Sequence, residues 1–292
     1  MDNDWRDCIN IDQHLHMMTI KANISHFVSN AILSFSAFVA VFYILGEYAI
    51  RFLFLSEYNN TERQLPVKIQ LPFDSQQSPI FEFIVVALFL HVLLQICMFC
   101  TLNGLILTLV LHVSGQIDIM CHEFRNISKS ALLHKSTISL FQVQIERHNR
   151  IISFSENVQK LFSFIALMQV VYSTLVICCL GFFIIISIHN ESGILVLVKT
   201  ILAYLAIMVE SFIICFAGEY LSSKGKLIAN ATYDTLWYDM PSHHSKIIIF
   251  IIMRSQKRLA ITAGKMMDMS FEAFSSIVKA SASYISVLNA MY

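Results

Sequence analysis

Few residues in this chain have the types and spacing that catalysis or metal binding requires. His122-Glu123 lacks the second histidine, four residues after the first, that a helical metalloprotease zinc site needs. Cys97 and Cys100 have the spacing of a metal-binding or redox pair, but no second pair of ligands lies nearby. We expect both to be buried structural cysteines. Nucleophile-elbow and phosphate-binding glycine motifs are also absent, so the sequence predicts neither an enzyme nor a metal or cofactor.

Polar residues inside apolar runs are the remaining candidates for chemistry. His91 and His112 favour contacts with neighbouring helices over metal binding, because the histidines of the chain are scattered. Glu210 lies deep in an apolar run, where a carboxylate needs a partner, a water-filled cavity or a proton. It is therefore either a functional residue or an interhelical hydrogen-bonding residue, and the sequence favours neither.

The elements that carry these residues follow from composition. Hydrophobic residues make up 56% of the chain and charged residues 14%, so lipid must surround much of the apolar surface. Zero net charge argues against nucleic acid as a partner. Long apolar runs without period-two alternation predict an all-α polytopic membrane protein with five spans. These are Ala22–Gly46, Phe83–Ile117, Leu161–Asn190, Gly193–Gly218 and the weaker Ser270–Tyr292.

Positive charges predict the orientation of the spans. The segments before the first span, between the second and third, and between the fourth and fifth hold most of the 20 lysines and arginines. Because cytosolic loops carry such an excess, the amino terminus is predicted inside and the carboxyl terminus outside. The second and third runs exceed the membrane thickness, so their helices are predicted to extend into the cytosol. Asn59, in an outer-loop sequon, is a glycosylation candidate.

Aromatic and flexible apolar side chains are concentrated in the outer halves of the first four spans. Such a cluster could line an apolar pocket for a small volatile or lipid-like ligand. For any single member, ordinary contact with lipid or with another helix is the alternative. The candidate ligand-binding residues are Phe42, Tyr48, Phe83, Leu90, His91, Tyr204 and Met208.

The last span has the composition of a pore helix. Its many alanines and serines let helices approach closely and offer hydroxyl groups to water or to neighbours. Val287 and Met291 lie one helical turn apart. A ring of these side chains from several subunits could close a narrow pore by excluding water, although simple helix packing is the alternative.

An ordered set of motifs in the last third of the chain resembles the insect odorant receptors, which are seven-helix ligand-gated cation channels. Because the motifs occur in the family's order, the resemblance is specific for this region, and the remaining chain is compatible in span number and spacing. The motifs are Cys215-Phe216-Ala217-Gly218-Glu219, Tyr233, Trp237-Tyr238, Ser255-Gln256-Lys257, Ala263-Gly264-Lys265, Met269-Ser270-Phe271, Phe274, Ile277-Val278-Lys279 and Ser283-Tyr284.

This resemblance implies a receptor subunit that forms a heteromeric channel with the shared olfactory co-receptor. In the family the channel is a tetramer, and it lies in the plasma membrane of olfactory dendrites. The resemblance also implies membrane helices and an odorant pocket in residues 1–218, a cytosolic anchor region in 219–269 and a pore-lining helix in 270–292. The last family helix is split, with Ile247–Ser255 as the anchor part. Val287 and Met291 match the family's hydrophobic gate. The implied assembly residues are Tyr233, Trp237, Tyr238, Ser255, Gln256 and Lys257.

Two departures from the family pattern accompany the resemblance. Arg258 stands where the family usually has proline after Ser-Gln-Lys, which we expect to alter a local bend. Family members also carry two further helices at the amino terminus, one of which helps to form the pocket. We therefore expect this chain to be an amino-terminally truncated receptor.

Three other classes of membrane protein are less consistent with the sequence. A gustatory-type relative would carry glutamine where this chain has Ala290. G-protein-coupled receptors carry an Asp-Arg-Tyr motif and prolines within spans, and this chain has neither. A transporter would show inverted internal repeats, and none is visible.

Overall fold

The computed structural model describes residues 1–9, 11–54, 79–130, 137–189, 194–235 and 237–291. These residues form seven α-helices and one two-stranded antiparallel sheet. The helices are α1 (Asp2–Ile9), α2 (Asp12–Phe54), α3 (Ile80–Ser130), α4 (Thr137–His189), α5 (Ile194–Tyr233), α6 (Ser242–Ser255) and α7 (Phe271–Met291). The strands are β1 (Thr262–Ala263) and β2 (Met267–Asp268), and a short 3-10 turn covers Trp237–Asp239.

Four helices in the described ranges are long and apolar enough to cross a membrane. Their candidate spans are Asp12–Phe42, Ile80–Ile127, Leu140–His189 and Val196–Tyr233. In their described residues, the four long apolar runs are therefore confirmed as helices. α3 and α4 contain 51 and 53 residues, more than twice the roughly 20 that a bilayer core needs, which agrees with their predicted extension beyond it. α7 is shorter and less apolar, so its crossing stays a prediction.

Local sequence explains the boundaries of the last two helices. α6 starts five residues before the predicted anchor segment Ile247–Ser255, because Pro241 precedes its first turn and needs no hydrogen-bond acceptor there. α7 starts after Ser270, whose hydroxyl accepts a hydrogen bond from the Ala273 backbone N–H at 3.2 Å. This bond satisfies one of the free donors at the helix start.

The first of two compact units consists of Met1–Phe27, Gly104–Thr174 and Glu210–Ala280. It contains most of the large buried side chains, and all seven helices contribute buried apolar residues to its core. Members of that core are Phe124 of α3, Phe141 and Phe162 of α4, Leu221 and Ile228 of α5, and Ile248 of α6. The unit thus includes most of the segments that the charge pattern predicts to be cytosolic.

The second unit consists of Val28–Asn103, Leu175–Val209 and Ser281–Tyr292. Many of its described apolar side chains are exposed, as expected where lipid replaces water as the solvent. Cys97 is exposed and Cys100 is half-buried, so the prediction that both are buried is wrong for Cys97. An apolar run does not by itself distinguish a helix face covered by protein from one left to lipid.

Candidate functional site

The predicted ligand-binding residues lie in the second unit and divide into two groups. Phe83 and Leu90 are 79% and 53% exposed, and His91 is also exposed on α3. Half-buried side chains make up the other group, namely Phe42, Tyr204 and Met208. Tyr48 lies in α2 but outside the residues whose side chains are described. Within this unit, Phe42 stacks on Phe38 with ring centroids 6.4 Å apart.

Tyr204 lies beside a close contact between α4 and α7. Gly181 of α4 has no Cβ, and the position that a Cβ would take overlaps Cδ1 of Ile285 in α7. The same position is 3.9 Å from Cε2 of Tyr204 in α5. Sequence reasoning missed Gly181 and Ile285, although Gly181 is the only glycine in the run Leu161–Asn190. A ligand next to Tyr204 would therefore lie close to the helix that carries the predicted gate.

The predicted gate residues lie on the part of α7 that packs least against the described chain. Val287 is 57% exposed and Met291 is 81% exposed. Earlier in the helix, Ala273, Ile277 and Ser281 are buried. The carboxyl-terminal part of α7 can therefore face water, lipid or another subunit.

The predicted assembly residues lie in two places within the first unit. Tyr233 and Tyr238 are exposed, and half-buried Trp237 makes an edge contact with Tyr238 at 6.1 Å between ring centroids. The Ser245 hydroxyl donates to the Trp237 carbonyl at 2.7 Å, which fixes this turn against the start of α6. Aromatic side chains that remain exposed are suited to contact another subunit.

The Ser255-Gln256-Lys257 motif holds the end of α6 against α4. The Ser255 hydroxyl and the buried His148 Nε2 are hydrogen-bonded at 3.2 Å. Lys257 is exposed, and its Nζ lies 3.5 Å from a Glu156 carboxylate oxygen. Gln256 is exposed. Of the three predicted assembly residues in this motif, Ser255 and Lys257 therefore contact α4 of the same chain.

A charged triad, consisting of Lys21, Asp118 and Lys224, joins α2, α3 and α5 in the first unit. One Asp118 carboxylate oxygen lies 3.1 Å from Lys21 Nζ, and the other lies 2.6 Å from Lys224 Nζ. The Tyr220 hydroxyl accepts hydrogen bonds from Lys21 Nζ at 3.0 Å and from the Ser114 hydroxyl at 3.2 Å. Sequence reasoning missed this triad, although Lys21 directly precedes one apolar run and Asp118 directly follows another.

Two polar residues within the apolar runs, His112 and Glu210, have different surroundings. His112 Nε2 lies 3.0 Å from an Asp4 carboxylate oxygen, which confirms a contact with a neighbouring helix. Glu210 Oε2 is buried and has no hydrogen-bond partner among the residues that the structure describes. The interhelical hydrogen bond considered for Glu210 is therefore not found at this oxygen within the described part of the chain.

Comparison with known proteins identifies the family. The family described as 7tm Odorant receptor matches residues 6–282. Odorant receptor 22c of Drosophila melanogaster is 27% identical over 240 residues, which cover 78% of this chain and 58% of that receptor. Odorant receptor 10 of Aedes albopictus is 25% identical over 234 residues, which cover 79% of this chain and 61% of that receptor. The chain thus spans about three fifths of the length of these relatives.

A solved structure has the same fold. The insect olfactory receptor OR5 from Machilis hrabei, in complex with eugenol, matches with a TM-score of 0.77 and 16% sequence identity. The match covers 95% of this chain and 69% of that receptor. Because the family consists of receptors, the prediction that the chain is not an enzyme is confirmed. The chain is an all-α, multi-pass membrane protein and belongs to the insect odorant receptor family.

Proposed function

We propose that this chain supplies the odorant-sensing and pore-lining parts of a receptor subunit that gates a non-selective cation channel. The observation that carries the proposal is α7, which places two apolar, exposed side chains, Val287 and Met291, near its carboxyl end in a member of this family. Apolar side chains from several subunits can close a pore by excluding water. Serines and alanines elsewhere in α7 allow close approach of a neighbouring helix.

The ligand is proposed to be a small apolar volatile that binds in the half of the membrane predicted to face outward. The relative from Machilis hrabei was solved with eugenol, a ligand of this kind, which supports the ligand class. Aromatic and apolar side chains with one or two polar groups suit such a ligand. Candidate contacts are Phe42, Tyr48, Phe83, Leu90, His91, Tyr204 and Met208.

Tyr204 is the pocket candidate with the shortest described route to α7. Its ring lies beside the Gly181–Ile285 contact, and Ile285 is two residues before Val287. A ligand that moves the Tyr204 ring would therefore change the packing of α7 next to the proposed gate. Phe83 and Leu90 have no comparable described contact, and lipid or another subunit could cover their exposed side chains.

The proposed partner is the olfactory co-receptor, in a heteromeric and tetrameric channel of the plasma membrane of olfactory dendrites. Five side chains are proposed to contact neighbouring subunits. They are the exposed Tyr233, Tyr238, Gln256 and Lys257 and the half-buried Trp237. Asn59 is the proposed glycosylation site and lies outside the described residues. Membrane lipid is expected to cover the remaining exposed apolar surface.

Odorant-evoked current tests the proposed function. The chain is expressed with the co-receptor in a cell without other odorant receptors, and a panel of apolar volatiles is applied during whole-cell recording. A chimera that adds the amino-terminal segment of Odorant receptor 22c is recorded in parallel. We expect at least one of the two proteins to give a cation current that cells with the co-receptor alone do not give. Absence of such a current from both, despite surface expression, would contradict the proposal.

Charged substitutions at the proposed gate are expected to open the channel. In Val287→Asp and Met291→Asp, a carboxylate would keep the narrow part of the pore hydrated, so current without odorant should rise several-fold. Val287→Ile and Met291→Leu retain apolar side chains of similar size and should keep the wild-type closed state. The measurement is the ratio of resting to odorant-evoked current at matched surface expression. Equal ratios in all four variants and the wild type would rule out these residues as the gate.

A further inference from the structure

The connector between α6 and α7, residues 256–270, has a defined structure in the first unit. β1 pairs with β2 in the register Thr262 with Asp268 and Ala263 with Met267. The turn between them contains two consecutive residues with positive φ, Gly264 at 58° and Lys265 at 61°. Beyond the strands, the Met269 N–H donates to the Ile261 carbonyl at 2.8 Å. The connector is therefore a closed hairpin that leads directly into α7.

One side of this hairpin is attached to α4. The Gly264 N–H donates to the Ser163 carbonyl at 2.9 Å, and Gln159 Nε2 donates to the Thr262 hydroxyl at 3.3 Å. A Cβ on Gly264 would lie 2.8 Å from Leu167 Cδ2, so the turn lies directly against the α4 surface. Glycine suits this position because it adopts a positive φ without strain and leaves room for the Leu167 side chain.

The other side of the connector packs on a face of α5 that consists of glycine and serine residues. Gly218, Ser222 and Gly225 are spaced at i, i+4 and i+7 and so share one helix face. A Cβ on Gly218 would overlap the Met269 carbonyl oxygen and lie 2.8 Å from Met269 Cβ. A Cβ on Gly225 would lie 3.2 Å from Leu259 Cγ. The connector therefore contacts α5 at both of its ends.

Arg258 joins these parts through polar contacts. Its Nε and Nη2 lie 3.3 and 3.2 Å from the hydroxyl oxygen of buried Ser222, and both donate to it. Its Nη1 lies 3.5 Å from Asp268 Oδ2. Ser222 belongs to α5, and Asp268 lies three residues before the first residue of α7. One guanidinium group thus bridges α5 and the strand that enters the pore helix. We call these contacts the Arg258 bridge.

We propose that Arg258 is a positioning residue for gating, which makes the start of α7 move together with α5. The inference rests on the proposed function, because it takes α7 as the pore helix and α5 as a helix of the odorant pocket. Nε and Nη2 of the planar guanidinium group contact Ser222 while Nη1 faces Asp268, a fixed fork geometry that a lysine ammonium group does not reproduce. When an odorant displaces α5, the bridge carries the displacement to β2 and so to α7.

Loss of the bridge is expected to reduce channel opening rather than folding. Arg258 and Asp268 are each about half exposed, so their removal should leave surface expression near wild type. We expect the maximal odorant-evoked current of Arg258→Ala to fall about fivefold, the size of a modest coupling between sites. Arg258→Lys should recover part of the current. Lys226→Ala, which removes an exposed cation from α5, is the matched control and should behave as the wild type.

A double-mutant cycle separates coupling from two independent effects. Arg258→Ala, Asp268→Ala and the double variant are compared for maximal current and half-activating odorant concentration. We expect the double variant to be no worse than Arg258→Ala, because the Asp268 contact is already lost when Arg258 is removed. Additive losses, or losses equal to that of Lys226→Ala, would overturn the proposal.

A structural measurement tests the Arg258 bridge independently of the channel current. Hydrogen exchange of the connector is measured in purified wild-type and Arg258→Ala protein. Faster exchange at residues 261–269 in the variant is expected, and unchanged exchange overturns the proposal. If the wild type carries no odorant current but exchange changes as expected, the proposed function fails while the bridge stands.

Discussion

Replacing Asp118 with alanine is expected to lower the free energy of unfolding by about 3 kcal/mol. The Asp118 carboxylate is the shared partner of Lys21 and Lys224, and all three side chains are less than one quarter exposed. Removing it leaves two ammonium groups close together without a counter-charge in a site that water reaches poorly. A single desolvated charge without a partner is costly, and here there would be two.

The thermal unfolding midpoint of the detergent-solubilised protein measures this effect. We expect Asp118→Ala to lower the midpoint by about 6 °C or more. Asp234→Ala removes an exposed carboxylate and should leave the midpoint unchanged. The triple variant Lys21→Met, Asp118→Leu, Lys224→Met replaces the whole charged triad with apolar side chains and should regain most of the loss. If Asp118→Ala had the same thermal unfolding midpoint as the wild type, the charged triad would not stabilise the fold.

Gly218→Ala is expected to reduce the odorant-evoked current about tenfold, because overpacking costs about 1–3 kcal/mol and about 1.4 kcal/mol already shifts an equilibrium tenfold. The added methyl group would overlap the Met269 backbone oxygen, which cannot rotate away as a side chain can. The connector must then move off α5, and α7 must move with it. Replacing glycine with alanine in a helix interior otherwise stabilises the helix by about 1 kcal/mol. A loss of current in Gly218→Ala therefore could not be explained by helix propensity.

Gly225→Ala is the matched control for this substitution. A methyl group at Gly225 would meet Leu259 side-chain atoms at 3.2 to 3.3 Å, and that flexible side chain can shift by a few tenths of an ångström. We expect near wild-type current and thermal stability from Gly225→Ala. Both variants are recorded with the co-receptor at matched surface expression. Equal currents from the two would contradict the close packing of the connector on α5 at Gly218.

The long helices could be predicted because each one contains a long run of consecutive apolar residues. The run Phe83–Ile117 lies within α3, and the run Leu161–Asn190 gives most of the second half of α4. The helices extend past the runs because the flanking polar residues are also compatible with helix. Val287 and Met291 are predicted as gate residues from their one-turn spacing and from the family resemblance, and their exposure is compatible with the gate role without testing it.

Contacts between helices could not be predicted, because residue spacing does not say which helices are neighbours. Asp118 is about a hundred residues from Lys21 and from Lys224 in sequence, and only the fold brings the three together. The same holds for Gly181 and Ile285, and for Arg258 with Ser222. Arg258, where the family usually has proline, is predicted to alter a local bend, and that prediction gives no sign that its side chain contacts both Ser222 and Asp268. Cys97 was wrongly predicted as buried because lipid and protein are equally apolar surroundings.

Cysteine accessibility at Val287 tests most directly whether α7 of this chain lines an odorant-gated pore, as we propose. The Val287→Cys receptor is recorded with the co-receptor while a positively charged thiosulfonate reagent is applied from outside, with and without odorant. The wild-type chain, whose Cys97 and Cys179 are exposed, receives the same treatment as the control. The proposal predicts irreversible loss of most of the odorant-evoked current in Val287→Cys, faster when odorant is present, and little loss in the wild type. An evoked current in Val287→Cys that is as resistant to the reagent as the wild-type current would contradict the claim.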